Sequence, residues 1–480
     1  GSDAMGGVIN IITKKGKGPL KTTTSVEAGS YGTLRSTGAM TGSSGNTDYA
    51  LSIDAMTSQS FPPFAYRAKR TVTTYYDPTY GTSYDPTYLI NVNNVPRHAP
   101  ARKGGFSGTI GYNIDATTRV EFGLRADGDW LRLNNPGASS ADGIFSHYNK
   151  ASSTFAQGFA RASNEAFDGL LRNKLMVFSN VNDRTTGMIE GCSDSSWVSF
   201  NCVFGYRGTR TGAEYQGDVK MGSFGLTSFG LHHETETIST TQSPDTDFTP
   251  INKSQATNGV FAQHQISLFE KLHMSFGGRV DSVQGGETFP TWRITAAYQL
   301  NDDTKLRASA GTGARMPSLY QRYSNYGDPT LKPEKNQGFD VGVDQKISRD
   351  TTLGVTLFHT TYENLIQFSF SHTPNYYNVA NAMTKGVEVS GQTVLIEDQL
   401  KGRLSYTFLE AEQKNPSIAL LHRPRNKVTL NLTYIGVPNL ELDGRVSFVG
   451  HSLDKDYYNY NAPYVTLKSY AKFDAIANYK

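Results

Sequence analysis

Long apolar runs are missing from this sequence. Nothing in its 480 residues approaches the ~18–20 consecutive apolar residues that a membrane-spanning helix needs, and the mean hydropathy is -0.45. A helical membrane protein is thereby excluded. Cysteine is nearly absent: the chain has 2, Cys192 and Cys202, in a polar stretch. No second pair and no nearby histidine completes a four-ligand zinc site. The pair is therefore expected to close a small disulfide loop in an oxidising compartment. An excess of one charge sign is missing too. There are 46 Lys and Arg against 43 Asp and Glu, scattered along the chain, for a formal charge of +3; no nucleic-acid partner is suggested. The N-terminus has no basic start, apolar core or cleavage site, so no signal peptide is read there. Either a leader was removed or the chain is part of something longer.

What is abundant is strand and turn chemistry: 47 Gly, 27 Tyr and 25 Phe, with Thr and Ser throughout. Aromatics and Thr favour strands, and Gly supplies turns. Period-2 alternation recurs from Leu20 onward. Leu353, Val355 and Leu357 alternate with Thr352, Gly354 and Thr356; Val428, Leu430, Leu432 and Tyr434 alternate with Lys427, Thr429, Asn431 and Thr433. The segments 120–127, 338–344 and 440–448 repeat the pattern. One face is apolar and the other carries charge, with no helical periodicity of comparable length.

Alternation alone also fits a soluble β-sandwich. The connections separate the two. About twenty strands of roughly ten residues are read, the length that crosses a bilayer at a tilt. Alternate connections are tight: 42–46, 113–116, 163–168, 222–225, 268–271, 301–303, 346–350, 396–399 and 435–439. The others are mostly long: 58–103, 128–152, 180–208, 238–255, 312–333, 362–382, 412–423 and 451–467, with only those near 29–31 and 283–288 short. This rhythm is that of an all-β, large antiparallel up-and-down transmembrane barrel, with short turns periplasmic and long loops extracellular. Tyr298, Tyr406, Tyr434 and Phe448 are expected in its aromatic girdles.

A barrel this wide is either open or plugged. The run Gly6-Gly7-Val8-Ile9-Asn10-Ile11-Ile12-Thr13-Lys14 precedes the hairpin rhythm and does not follow it. Together with Gly1 to Met5, it resembles the end of the plug domain of TonB-dependent outer-membrane receptors. Three further segments resemble that family's barrel. One is Arg315-Met316-Pro317 with the later Gly327-Asp328-Pro329-Thr330-Leu331-Lys332-Pro333-Glu334. Another is Asn378 through Gly386-Val387-Glu388, and the last is Tyr464 to Lys480, similar to a third-to-last strand. The resemblance implies a plug end at 1–19 and a barrel at 20–480, with about 20 of ~22 strands present. The body of the plug, its TonB-pairing box and the last strands are then expected to lie outside this chain. As written the barrel would leave two edges unpaired, which is costly in lipid, so a longer receptor is expected.

The resemblance also implies a function: high-affinity capture of a scarce, bulky nutrient and TonB-driven uptake, without covalent chemistry. Gly-x-Ser-x-Gly, His-Glu-x-x-His and phosphate-loop motifs are all missing, which agrees with a non-enzyme. In His232-His233-Glu234, adjacent strand residues point to opposite faces and cannot share an ion. Cargo stays open. Between the two barrel motifs the chain carries Tyr320, Arg322, Tyr323 and Tyr326 and no histidine, which lowers a heme reading; a cobalamin-like corrinoid and a ferric siderophore are left level. Candidate ligand contacts are Arg315, Tyr320, Tyr323 and Tyr326, with Tyr76 and Tyr84 from the repeat Tyr76-Asp77-Pro78-Thr79-Tyr80 and Tyr84-Asp85-Pro86-Thr87-Tyr88, since aromatic loops suit large flat ligands. Asp77 and Asp85 offer oxygen ligands of the kind Ca²⁺ takes; no other cofactor or metal is expected. Expected partners are TonB, outer-membrane lipid, lipopolysaccharide and the small-molecule nutrient, around a monomer. A passive porin-like channel is the alternative, disfavoured by the plug-end and Pro-Glu motifs; adhesion or phage attachment would be a secondary use of the loops. If Cys192 and Cys202 are bonded, the denatured protein shows no reactive thiol until a reductant is added; quantitative labelling without reductant would contradict the bond.

Overall fold

Alternating apolar and polar residues give a strand two unlike faces. Where one face meets hydrocarbon, the backbone must find all its hydrogen bonds in neighbouring strands. The computed structural model shows this solution. It describes Met5 and residues 15–59, 100–133, 149–193, 199–243, 249–369, 372–379, 381–414, 417–455 and 464–479, with the backbone alone at 75–77, 82–84, 133, 149, 188–193 and 199–200. Its main feature is one antiparallel, 21-stranded sheet, in which each strand pairs with its neighbours in sequence. The strands run from nine residues, Lys21–Gly29, to 23, Leu171–Ser193, apart from the two-residue Ile418–Ala419. Among the described residues no helix is long and apolar enough to cross a membrane.

The tight turns fall at the nine expected places on one rim. Examples are the link from Ser44 to Thr47, that from Leu268 to Leu272, and that from Asn301 to Thr304. The opposite rim carries the long connections, some built into small hairpins: Ile366–Phe368 with Tyr376–Asn378, and Ser452–Lys455 with Tyr464–Leu467. One expectation is corrected. The stretch 180–208 is not mainly loop; Leu171–Ser193 and Ser199–Lys220 continue as strands almost to its tip. At ~3.3 Å per residue such strands far outreach the ~25 Å apolar band. Thr185, Thr186, Thr209 and Thr211 keep the ladder going in water, because β-branched residues suit strands on either side of the interface. Similarly, the turn read at 163–168 begins later, since Asn149–Ala166 is strand.

Residues directly opposite each other in antiparallel strands share a face. One row can be followed round the wall: Asp48, Gly111, Glu121, Arg161, Met176, Glu214, His232, Gly259, Asp281 and Phe289. This face is charged, and the charges of this row are paired. Arg119 grips Asp48 with both terminal nitrogens at 2.5 and 3.0 Å, and Glu121 takes Arg161 at 3.3 Å and Lys15 at 3.5 Å. Arg279 holds the fully buried Asp281 at 2.7 Å. Phe122, Leu124, Leu231, Val260, Phe339 and Leu357 lie on the other face and are all exposed, as lipid-facing side chains should be. Tyr298 and Phe448 are exposed there near opposite ends, while Tyr406 donates its hydroxyl to Asn426 Oδ1 at 2.8 Å.

The sheet is curled. Lys15 reaches Glu121, and ten residues earlier the Met5 carbonyl accepts a hydrogen bond from Asn336 on the strand Glu334–Ser348. Ten residues span at most ~36 Å, so distant strands of the sheet face one another across a lumen. Among the described residues, Lys21–Gly29 pairs only with Thr33–Ser44, and Tyr470–Tyr479 only with Leu440–Val449. Close packing on the inner face sets a test. A Cβ at Gly386 would lie 2.1 Å from the Phe408 carbonyl oxygen, whereas one at Gly444 would meet nothing within 4 Å. Gly386→Val is expected to cost about 1–3 kcal/mol, lowering the temperature at which the folded band shifts on electrophoresis; Gly444→Val should leave it unchanged.

Candidate functional site

The strand Thr304–Arg315 leaves the sheet through Met316 and Pro317 into a five-residue helix, Leu319–Tyr323. Ser318 starts this helix by a reciprocal cap: its hydroxyl accepts from Gln321 N at 3.2 Å, and its own N–H donates to Gln321 Oε1 at 2.9 Å. Pro317 and Leu319 are fully buried and anchor the turn. The cap aims Tyr320, Arg322 and Tyr323 across the mouth toward strands far away in sequence.

Tyr320 meets Tyr206 at 5.9 Å and Tyr376 at 6.3 Å between ring centres. Tyr376 meets Phe368 at 4.9 Å, and Phe368 meets Tyr326 at 5.8 Å. These edge-on contacts make one continuous aromatic cluster. Burial, followed by the neighbouring Tyr206 and Tyr376, pushes the Tyr320 phenol well above its ordinary pKa, so it stays a neutral hydroxyl. Tyr376 shifts the same way for the same first cause. Beside the cluster, Tyr323 receives two cations: the Arg322 guanidinium at 5.0 Å and the Lys253 ammonium at 5.2 Å from its ring centre. Arg322 is 8% exposed. One nitrogen, Nη2, approaches the Gly285 carbonyl at 3.5 Å, while Nε and Nη1 have no hydrogen-bond partner among the described residues.

The motif residues hold this platform together. Arg315 pairs with Glu334 at 2.5 Å, and the other Glu334 oxygen accepts Ile366 N at 2.8 Å. Asn378 accepts from Lys332 N at 2.8 Å and donates to the carbonyls of Lys332 and Asn364 at 3.0 and 2.7 Å. Segments recognised separately in the sequence thus form one network tying the loops 316–333 and 364–379. Of the expected contacts, Tyr320 and Tyr326 join the cluster, Tyr323 lies beside it, and Arg315 is engaged by Glu334 beneath it. The side chains of Tyr76, Tyr84, Asp77 and Asp85 lie outside the described residues. Cys202 is buried and disulfide-bonded, and Cys192 is the only other cysteine in the chain.

Sequence reasoning missed Tyr206, Lys253, Phe368 and Tyr376. They come from other strands and loops, and no local pattern joins them to 318–326. Among the described residues no group of three His, Cys, Asp or Glu is placed to hold a metal. His232 faces inward between Glu214 and Glu234, at 3.4 and 3.3 Å, while His233 faces outward to Asn258. A cavity at the short-turn end, lined by Gly225, Gln265, Arg293, Arg307 and Asp340, is remote from the aromatic cluster.

Residues 25–480 match the family model for the TonB dependent receptor-like β-barrel. The chain belongs to this family. TonB-dependent receptors are outer-membrane transport receptors that bind small-molecule nutrients, and not enzymes. Solved structures agree on the fold. The chain is similar to the ferric enterobactin receptor PfeA from Pseudomonas aeruginosa at 16% identity, covering 100% of this chain and 75% of that one, with a TM-score of 0.79. It is similar to the siderophore receptor PirA from Acinetobacter baumannii at 12% identity, 100% and 77% coverage, TM-score 0.76. The copper transporter OprC follows at 14% identity, 97% and 74% coverage, TM-score 0.75. For this receptor, Asn378→Ala removes three hydrogen bonds at a net cost of about 0.5–1.5 kcal/mol each. Hydrogen exchange should quicken in 328–333 and 364–379 and stay unchanged in the wall; unaltered exchange in those loops would contradict the clamp.

Proposed function

We propose that the full-length receptor takes up an anionic ferric siderophore, driven by TonB, with the long-loop rim facing the outside and the tight turns facing the periplasm. In this reading residues 1–19 end the plug, 20–480 form the barrel, and TonB engages a segment outside this chain. The observation that carries the ligand class is Arg322. A buried guanidinium with two nitrogens unpartnered among the described residues is costly, because an uncompensated buried charge is worth several kcal/mol. An anionic chelate settling among Tyr320, Tyr326, Phe368 and Tyr376 supplies both the missing acceptor and the flat apolar surface that the rings suit. A corrinoid offers a mostly amide periphery with a single phosphodiester, whereas a ferric tris-catecholate carries three negative charges spread over its metal centre. Heme brings carboxylates, but no histidine stands in 315–334 to ligate its iron.

The test is fluorescence-quenching titration of the purified full-length receptor with a ferric tris-catecholate, a ferric tris-hydroxamate, cyanocobalamin and hemin. The ferric tris-catecholate, which carries three negative charges, should bind with Kd of about 1 µM or tighter, and the neutral ferric tris-hydroxamate should bind more weakly; the reverse order would overturn the anionic class. Arg322→Gln should weaken tris-catecholate binding about 100-fold while raising the stability of the free protein, since removing an unpaired buried charge relieves a cost. Binding of cyanocobalamin without any ferric chelate would overturn the ligand class. Unchanged uptake in cells lacking TonB would overturn active transport in favour of a diffusion channel.

A further inference from the structure

The chain approaches its first strand along the inside of the wall, and residues 15–18 are fixed there. At Gly18 the carbonyl accepts Ser43 N at 2.7 Å, and the N–H donates to Ser43 Oγ at 2.9 Å. These bonds carry the pairing of Lys21 with Thr41 on toward the turn. Gly18 has a φ of +72°, which glycine adopts without steric cost. Two residues earlier, Gly16 lies flat on Gly42 and Tyr49, a directly opposed pair on Thr33–Ser44 and Thr47–Ser58. A Cβ at Gly16 would lie 2.1 Å from the Gly42 carbonyl oxygen and 2.3 Å from that of Tyr49. Only glycine lets backbone touch backbone so closely. Lys15 then reaches Glu121 at 3.5 Å, and Glu121 also takes Arg119 at 3.4 Å and Arg161 at 3.3 Å.

The place of this attachment matters as much as its strength. Gly42, Ser43 and Tyr49 flank the tight turn from Ser44 to Thr47, so the segment is fixed at the short-turn rim. Met5 touches the wall at the opposite rim, through one hydrogen bond from the Asn336 side chain to its carbonyl. Asn336 stands two residues from Glu334 on the same face, beside the clamp that holds the aromatic platform. The two ends therefore differ in how they resist a pull. One side-chain hydrogen bond at Asn336 can break alone. At Gly18 two bonds lie side by side with the ladder behind them and must break together. Lys15, with its side chain 62% exposed, adds little holding strength of its own, because exposed ion pairs are weak. The close fit at Gly16 and the bonds at Gly18 supply the resistance.

We infer that Gly16 and Gly18 are a fixed anchor that positions the end of the plug at the short-turn rim, so that a pull from TonB releases the contact at Asn336 and stops at Lys15. This rests on the reading that residues 1–19 end a plug on which TonB acts. In single-molecule pulling on the full-length receptor through its TonB-binding segment, wild type should stop extending at Lys15. In Gly16→Val the 14 residues from 16 to 29 should follow, adding up to ~50 Å at ~3.6 Å per residue. Equal extension of the two overturns the anchor. Each variant is first checked for its heat-modifiable folded band, and Gly16→Ala replaces Gly16→Val if that check fails. Uptake of the ferric tris-catecholate is then measured with one contact locked. A short bis-maleimide joins Lys15→Cys to Glu121→Cys, or Met5→Cys to Asn336→Cys, and each joined variant is compared with its unjoined form. Uptake should stay within about twofold under the first lock and fall at least ~10-fold under the second, as expected when a motion gates transport. Lost uptake under the first lock overturns the fixed end; unchanged uptake under the second overturns the released one. Uptake by wild type in cells lacking TonB overturns the underlying reading instead, whatever the locks do.

Discussion

A peptide group in hydrocarbon has no water to bond, so each must be satisfied by the next strand. The rest of the structure depends on that constraint. It forces a continuous antiparallel ladder, and the ladder forces side chains to alternate between lipid and lumen. Apolar Phe122 and Leu124 then stand next to Glu121 and Arg125 in sequence without ever sharing an environment. Low overall hydropathy follows, because only half of each strand is asked to be apolar.

The same ladder brings inward charges close together, and they are matched across or along strands. Arg119 with Asp48, Arg279 with Asp281, and Arg307 with Asp344 at 3.2 Å are the clearest pairs. Glycine makes two of them fit. A Cβ at Gly111 would lie 1.9 Å from an Arg119 nitrogen, and one at Gly259 would lie 2.4 Å from Arg279 Nη2. The glycines opposite Glu121 and Asp281 thus leave room for guanidinium groups to lie flat on the wall. An inward glycine here serves an ion pair rather than a turn.

These features were legible to different degrees. Turn positions could be read because a tight link demands local chemistry, as in Gly45-Asn46 or Asp302-Asp303. Strand faces could be read because period 2 is a local signal. The long tips of Leu171–Ser193 and Ser199–Lys220 could not, since beyond the membrane the outward face is no longer required to be apolar and the alternation fades. In the candidate site, Arg315, Tyr320 and Tyr326 were visible through their motif, but the partners that give them meaning were not. Glu334 was known only as the end of a second motif, and Tyr206 and Tyr376 meet Tyr320 only through the curl of the sheet.

Where the backbone can leave the ladder is also decided by the constraint. Irregular structure is tolerated only beyond the hydrocarbon, so the short helix, the capped turn at Ser318 and the small hairpins all gather at one rim. Freedom there has to be restrained again, or ordering the loops would consume the free energy of binding. The Arg315–Glu334 pair and the three Asn378 hydrogen bonds supply that restraint. They leave Arg322 fixed beside a preformed aromatic surface. In the lumen Arg119 and Arg161 each leave one buried Nε unpartnered but hold a carboxylate through their terminal nitrogens, whereas among the described residues Arg322 has two unpartnered nitrogens and no carboxylate. A group kept buried and incompletely satisfied costs stability in the free protein. That cost is recovered only when a molecule from outside brings the acceptor, which is why the functional reading rests on this one guanidinium and not on the many paired ones.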